Sequence, residues 1–563
     1  MIGPHLAKSG IHVIQSSGMV KTGKSTVGSS KVVMGVCLFL YALWICAQPH
    51  TVPDLWWQLR IGDGIREAHR IPRHDVFSWS CYGHPLVLHE WGSCLIFAEC
   101  YRHLGKLSGI WMLGAAVAGL ILEGLYLLLL KNKTTPPVIA FFLALMAGRL
   151  CAEFFTPRPH LFTFLCLIAS LGILNSFRVN SKVSPFGFLG LILIQILWAN
   201  LHAAAPVFVA ICLCFAVGDG LHGLIEAGKN KELSRVYLKN CIIELFCAVA
   251  SLAAMMVNPY GLGIYRIFLD TVSNKVLPTT SMAAEWQSAD FHDSYGRALE
   301  AFVFLIGFIL TATRKKHNIG DVLALGLLIL SAFYAVRNGP ILGLAGSLIA
   351  APYAAGAFAR LSERYLPLEA LGKLLSKRQT LYTQAIALSV SLVFLVGLFQ
   401  AWNAGLDRAF MLQSVPESAC AFIKKEKIPT SLKLYNEYNT GSYLIWRLPN
   451  YPVFISTEAF VYFGPVFNTY LQMNQIPFDW RSLMVRYNPQ MVLMGTDDIQ
   501  AHLFLEAPDW ALVYADGPLS DTDQSTNLIF IKRSTGTKDL ISRCRADCPE
   551  VGSTDFKEYL SAR

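Results

Sequence analysis

The sequence is poor in charge. Only 15% of its 563 residues are charged, against 54% hydrophobic, whereas soluble domains carry about 25% charged residues. That excludes an ordinary soluble domain and leaves an α-helical polytopic membrane protein. Internal repeats of 20–50 residues are lacking, which excludes solenoids and propellers. Cysteines outside the apolar runs are scarce too: most of the 14 sit where a free Cys acts as a small hydrophobe. Cys544 and Cys548 are exceptions, and their close spacing leaves both a disulfide and two thiols open. Residues 1–31 lack the long apolar core of a cleavable signal peptide and are expected to be a disordered cytoplasmic arm. Their Gly18–Ser25 stretch matches a P-loop formally, but lacks the α/β context that a P-loop needs. Nucleotide binding is therefore not expected.

What is present is a series of eleven apolar runs long enough to span a bilayer. They fall near 32–47, 107–130, 137–155, 160–177, 185–202, 205–225, 240–257, 298–313, 319–336, 340–358 and 381–402. Alternate loops are basic: Lys131 and Lys133; Arg178 and Lys182; Lys229 to Lys239; Arg314 to Lys316; Arg360 to Arg378. By the positive-inside rule the N-terminus is cytoplasmic, and the first loop and C-terminal region lie outside. The same rule accounts for the net charge of +9, so no nucleic-acid partner is expected. The stretch 89–104 is too short and mixed for a span. Counting it as one would also put every later basic loop outside. The first external loop, 48–106, is therefore expected to hold two interfacial helices, 54–69 and 89–104. Arg149, Glu153 and Glu123 are the notable intramembrane charges.

With this topology the unusual residues converge on the outer side. Asp54, Trp56, Trp57, His89, Glu90 and Trp91 sit in the first loop. Arg158 and His160 flank the outer end of the fourth span, Asn200 and His202 end the fifth, and Glu285, Trp286, Arg337 and Asn338 follow. The basic inner loops show no comparable cluster of His, Trp and carboxylate. Each residue has a plainer reading. Asp54 after Pro53 fits a helix cap as well as a catalyst. Trp56 and Trp57 read as interfacial anchors. Arg158 and Arg337 fit snorkelling side chains or guanidinium groups paired with a lipid phosphate. His89-Glu90 lacks a second metal-binding pair at helical spacing, so no metal ligand is assigned. A divalent cation on loop carboxylates stays open, and no cofactor is otherwise expected.

Residues 403–535 change character and read as an extracytoplasmic α/β domain. Strands are expected at Leu432–Tyr435, Pro452–Ile455, Met491–Met494, Trp510–Tyr514 and Leu528–Ile531, in a small, largely parallel sheet. Helices are expected at 416–426, 440–447, 479–487 and 497–506. Residues 536–563 form a tail.

About eleven spans with the N-terminus inside, an acidic residue after the first span, two interfacial helices and an outer C-terminal domain resemble the GT-C superfamily of polyprenyl-phosphate-sugar-dependent glycosyltransferases. The motifs P-D-L-W-W-Q-L-R-I-G, H-P-L-V-L-H-E-W, W-A-N-L-H, N-P-Y-G and Y-N-E-Y-N-T-G-S-Y-L-I-W also resemble an uncharacterised group of bacterial membrane proteins with that architecture. The likeness covers about residues 32–535. It implies a multi-pass protein of the bacterial cytoplasmic membrane that moves a sugar from a polyprenyl-phosphate donor to a glycan, lipid or protein acceptor outside, with inversion. Asp54 matches the superfamily's catalytic carboxylate, and Glu90 is the second candidate. His89, Arg158, His160, Asn200, His202, Glu285 and Arg337 are the expected substrate-binding residues, the arginines and His202 serving the donor phosphate. The positions after Asp54 are Leu55, Trp56 and Trp57, where many relatives carry a further acidic residue. That departure keeps two other classes in view: a non-catalytic lipid-binding subunit of a membrane complex with protein partners and, with less support, a transporter.

Overall fold

The computed structural model describes residues 24–48, 52–131, 135–273, 281–364, 385, 388–400, 415–473, 480–517 and 526–544. The P-loop-like glycines, most of the N-terminal arm, Cys548 and the tail beyond residue 544 lie outside these residues. Cys544 is a buried free thiol.

The chain opens with α1 (Lys24–Cys46), followed by α2 (Asp54–Ala68) and α3 (Trp91–His103) in the first long loop. The bundle continues with α4 (Leu107–Lys131), α5 (Pro137–Cys151), α6 (His160–Asn180), α7 (Pro185–Leu201), α8 (Pro206–Glu226) and α9 (Lys231–Met255). Then come α10 (Gly263–Ser273), α11 (Ser294–Ala312), α12 (Ile319–Tyr334), α13 (Gly339–Arg364) and α14 (Leu388–Gln400). Among the described residues seven helices are long and apolar enough to cross a membrane, and four shorter apolar ones accompany them. Together they coincide with the eleven runs read from the sequence. The protein is a polytopic helical membrane protein.

Polar side chains start several helices by satisfying free backbone N–H groups. Ser184 accepts from Gly187 before α7, and Asn230 accepts from Leu233 before α9. Asp293 accepts from Gly296 before α11, and Asn318 from Gly320 before α12. Two glycines allow close helix crossings. A Cβ at Gly62 would lie 2.2 Å from the Cys94 carbonyl, which lets α2 and α3 pack as a pair. A Cβ at Gly218 would lie 1.9 Å from the Gly320 nitrogen, which joins α8 to α12.

The bundle holds a buried charge network that the sequence reading missed. Arg178 meets Glu244 at 2.7 Å, Asp321 at 3.3 Å and Asp219 at 3.8 Å. Asn318 donates to Asp219 at 2.6 Å and Tyr353 to Asp321 at 2.7 Å. Glu244 and Asp219 are completely shut off from solvent. Of the charges expected to matter in the bundle, Arg149 instead donates to Ser294, and Glu123 packs against Gly35.

The C-terminal domain carries a four-stranded sheet of β1 (Leu434–Asn436), β2 (Met491–Gly495), β3 (Trp510–Ala515) and β4 (Asn527–Lys532) in the order β1-β2-β4-β3. Only β1 and β2 are parallel; the other pairings are antiparallel. The largely parallel sheet expected from the sequence is therefore corrected. The connection between β3 and β4 is too short for a helical crossover of a dozen or more residues, so β4 folds back beside β3. The stretch expected as a strand at Pro452–Ile455 forms no sheet strand. It makes a bridge from Val453 to Ser78 in the first loop.

That bridge belongs to the seam joining the domain to the bundle. Trp79 donates its indole N–H to the Leu434 carbonyl at 2.8 Å, and Ser80 donates to the Phe454 carbonyl. Trp56 packs on Tyr443 and Trp446 of the helix Tyr438–Arg447, with ring centres 4.9 and 4.8 Å apart. Trp56 and Trp57 are 4% and 5% exposed. Both are core residues rather than interfacial anchors: the domain covers Trp56, and Trp57 turns to Asp54 at the cavity.

Candidate functional site

A cavity of about 780 Å³ lies at the end of the bundle beneath the C-terminal domain, within the usual size range of ligand pockets. Three groups of elements wall it. The first turn of α2 and the loop before α3 supply Asp54, Trp57, Gln58, His89 and Glu90. The starts of α6 and α13, the end of α7 and the segment before α11 supply Arg158, His160, His202, Glu285 and Arg337. The C-terminal domain supplies a roof of Tyr438, Asn439, Thr457, Glu458, Phe460 and Phe463.

Asp54 is the first residue of α2, after the N-cap Pro53, and among the described hydrogen bonds its carboxylate accepts from no backbone N–H. One oxygen meets Arg158 Nη2 at 2.6 Å, and the other receives the Trp57 indole N–H at 3.4 Å. The capping alternative therefore does not describe it. Arg158 is held in Thr156-Pro157-Arg158-Pro159, between two prolines that fix the backbone on either side. It donates to both Glu285 oxygens, at 2.6 and 3.3 Å. Arg337 donates to Glu285 at 3.1 Å and stacks over Trp286 at 4.0 Å. Two arginines and two carboxylates thus form one chain of contacts. Burial pushes the Glu285 carboxyl up, but Arg158 and Arg337 outweigh it and hold it well below the usual carboxylate range. Burial also disfavours the Arg158 charge, and Glu285 and Asp54 more than restore it.

A second polar group lines the same cavity one turn further along α2. Gln58 donates to Glu90 at 2.8 Å, and His89 Nε2 lies 3.4 Å from the other Glu90 oxygen. His89 Nδ1 and Gln58 Oε1 are buried without partners. Thr163 hydrogen-bonds His202 Nδ1 and receives the Trp198 indole N–H, both at 2.8 Å, which fixes the His202 ring. His160 donates from Nε2 to the Phe154 carbonyl at 2.5 Å. The remaining wall is apolar. Val207, Ile211, Phe268, Val272, Leu327 and Leu330 carry the cavity down between α8, α10 and α12.

Eight of the nine residues singled out in the sequence line this cavity: Asp54, Glu90, His89, Arg158, His160, His202, Glu285 and Arg337. Asn200 does not. It accepts from Trp91 at 2.9 Å and donates to the Ile196 and Val257 carbonyls, tying the first loop to the bundle. Sequence reasoning missed Gln58, Thr163 and Glu458. Gln58 follows Asp54 by one helical turn, the spacing that puts both on one face of α2, and that signal was available. Glu458 has no local signature.

The donor set does not fit a resident divalent cation. Asp54 and Glu285 are taken by arginines, and among the described residues no group of three or more His, Cys, Asp or Glu side chains is arranged to hold a metal.

Fold and site together define a multi-pass helical membrane protein with a partly charged, partly apolar cavity beneath a small α/β domain. No family model matches the sequence, and no curated protein matches it. Solved structures similar in shape include the following two. An apo oligosaccharyltransferase from Archaeoglobus fulgidus matches 84% of this chain and 69% of its own, with a TM-score of 0.49 and 11% identity. ArnT from Cupriavidus metallidurans, bound to undecaprenyl phosphate, matches 90% of this chain and 97% of its own, with a TM-score of 0.42 and 14% identity. At these scores neither says what this chain does, and the chemistry is taken from its own residues.

Proposed function

We propose that the protein is an integral membrane glycosyltransferase that moves a sugar from a polyprenyl-phosphate donor to an acceptor at the extracytoplasmic face. The observation that carries this reading is the pairing of Asp54 with Arg158, which Glu285 links to Arg337, at the head of a cavity whose lower wall is apolar. Guanidinium groups match a phosphate with forked donors, and the apolar limb between α8, α10 and α12 suits a hydrocarbon chain. The basic loops at the other end of the bundle favour a cytoplasmic N-terminus in a bacterial inner membrane, with the C-terminal domain outside. The domain limits read from the sequence, 32–402 for the membrane part and 403–535 for the outer domain, are part of the same reading.

The reaction is a single displacement. Asp54 takes the proton of the acceptor hydroxyl, and the oxygen bonds to the anomeric carbon from the face opposite the phosphate. The bond from that carbon to the phosphate oxygen breaks. Its electron pair leaves on the polyprenyl phosphate, whose charge Arg158 and Arg337 hold. Asp54 must first let go of Arg158, and the donor phosphate is the natural competitor for that arginine. Glu90 is the second candidate base.

One observation favours a second reading, a non-catalytic lipid-binding subunit. Asp54 and Glu285 already neutralise both arginines, an arrangement that is stable without chemistry. Native mass spectrometry of the gently solubilised protein tests what is shared: both readings expect bound polyprenyl phosphate. A transfer assay then separates them. Turnover by the parent and none by a folded Asp54→Asn variant supports the enzyme, whereas binding without turnover supports the subunit.

A further inference from the structure

The roof of the cavity contains an acid that neither pairs with a cation nor takes part in the displacement above. Glu458 lies on the loop leading into the short helix Ala459–Tyr462, and one of its oxygens accepts from the Val461 amide at 3.3 Å. Among the described residues no Lys or Arg reaches it. The arginines lining the cavity, Arg158 and Arg337, are bound to Glu285. The loop is firmly placed. Phe460 packs edge-on against the His89 ring at 5.3 Å, and Thr457 shares a 2.6 Å hydrogen bond with Ser442.

Beside Glu458 the cavity offers the Asn439 amide, the Thr457 hydroxyl and the faces of Trp57, Phe460 and Phe463. The buried His89 Nδ1 and Gln58 Oε1 leave an unmet hydrogen-bonding need behind the same wall. Carboxyl, amide and hydroxyl groups next to aromatic faces suit a hydroxyl-rich ring, whose O–H groups bond in the plane while its C–H faces stack. A negatively charged ligand gains nothing against the roof, because Glu458, Asn439 and Thr457 offer it no positive charge. Burial, then Asp75, Glu90 and Asp54, pushes the Glu458 carboxyl up to about 8. At neutral pH it can therefore donate as well as accept a hydrogen bond.

We propose that Glu458 is a substrate-binding residue brought to the membrane site by the C-terminal domain, where it receives an uncharged, hydroxyl-rich acceptor such as a sugar ring. This rests on the transfer reading and extends it: the donor enters from the bundle, and the acceptor is held against the roof.

The test uses the full-length protein in nanodiscs. A panel of neutral methyl glycosides is screened by saturation-transfer NMR, and retention of added undecaprenyl phosphate is followed in parallel by native mass spectrometry. The expected result is binding of at least one glycoside by the parent, weakened tenfold or more in Glu458→Ala and largely restored in Glu458→Gln. Undecaprenyl phosphate binds equally in all three. If glycoside binding is indifferent to Glu458→Ala, or a methyl glucuronide competes as well as the neutral ring, the proposal fails. It also fails if undecaprenyl phosphate binds while no neutral glycoside does. Absence of undecaprenyl phosphate from the parent itself would instead overturn the transfer reading.

Discussion

The two ends of the bundle use the same ingredients differently. At one end Arg178 is surrounded by Glu244, Asp321 and Asp219 and capped by Phe215, whose ring lies 4.0 Å from the guanidinium carbon. At the other end Arg158 and Arg337 share Glu285, and Arg158 also holds Asp54. The first network is packed into four helices and does not line the cavity. The second lines about 780 Å³ of open space. An arginine ringed by carboxylates is therefore not itself the sign of a site. What distinguishes the second is that its partners can be exchanged for something that enters.

The comparison can be broken most severely at Asp54. In a transfer assay Asp54→Asn is expected to lower turnover by about 10²–10⁴-fold, the usual contribution of a positioned base, with no comparable loss of thermal stability. The opposite pattern is expected at the packed end. Arg178→Ala leaves the buried Glu244 and Asp219 and the partly buried Asp321 uncompensated and should destabilise the protein by roughly 3–5 kcal/mol in denaturation measurements. Should that variant stay fully stable while changing lipid binding, the contrast between the two ends collapses. Arg158→Ala is expected to weaken undecaprenyl phosphate binding about 10–100-fold, the scale of one or two charged hydrogen bonds.

A smaller effect sharpens the contrast further. If Asp54 competes with the phosphate for Arg158, Asp54→Asn should tighten undecaprenyl phosphate binding by about 3–10-fold even as turnover is lost. Unchanged or weaker binding would show that the carboxylate is not a stand-in for the ligand. The pH response should be gentler still. Glu458 and Glu437 are both raised to about 8, Glu458 by burial and then by Asp75, Glu90 and Asp54, Glu437 by burial and then by Asp498 and Asp497. The native state then holds protons that the unfolded chain releases near the usual carboxylate pKa of about 4.3, so stability should fall as pH rises from there to about 8. Glu458→Gln should flatten part of that slope in thermal melts, leaving the part due to Glu437. Glu285, depressed, works the other way. Its contribution is present above about 4.3 and is lost only in strong acid, below the window in which Glu458 acts.

Much of this was legible in the sequence, because a bilayer forces apolar segments to be contiguous. The eleven runs became the eleven apolar helices, and the helices of the first loop appeared at Asp54–Ala68 and Trp91–His103. Polar residues at the ends of those runs, such as Arg158, His202 and Arg337, could be assigned to one side by counting alone, and they do share one cavity. Contacts between distant segments were not legible. Trp56 and Trp57 looked like anchors because nothing local announces the helix Tyr438–Arg447 that covers Trp56, or the cavity that Trp57 lines. Val453 has the composition of a strand, yet its partner is Ser78 rather than the sheet. Asp219 and Glu244 were passed over because each sits alone in an apolar run; only the folded bundle brings Arg178 to them.

The seam between Trp79 and Leu434 has a consequence for how the protein is made. The roof of the cavity is encoded some 400 residues after its floor, as the positions of Asp54 and Glu458 show. The bundle can thread into the bilayer while the ribosome is still at work, but the pocket stays roofless until the last domain has folded and docked on Trp56. A nascent or truncated chain would carry both arginines and Asp54 and still lack the wall that Glu458 provides. Maturation, not insertion, is then the step that completes the cavity, and a protein cut short lacks its roof.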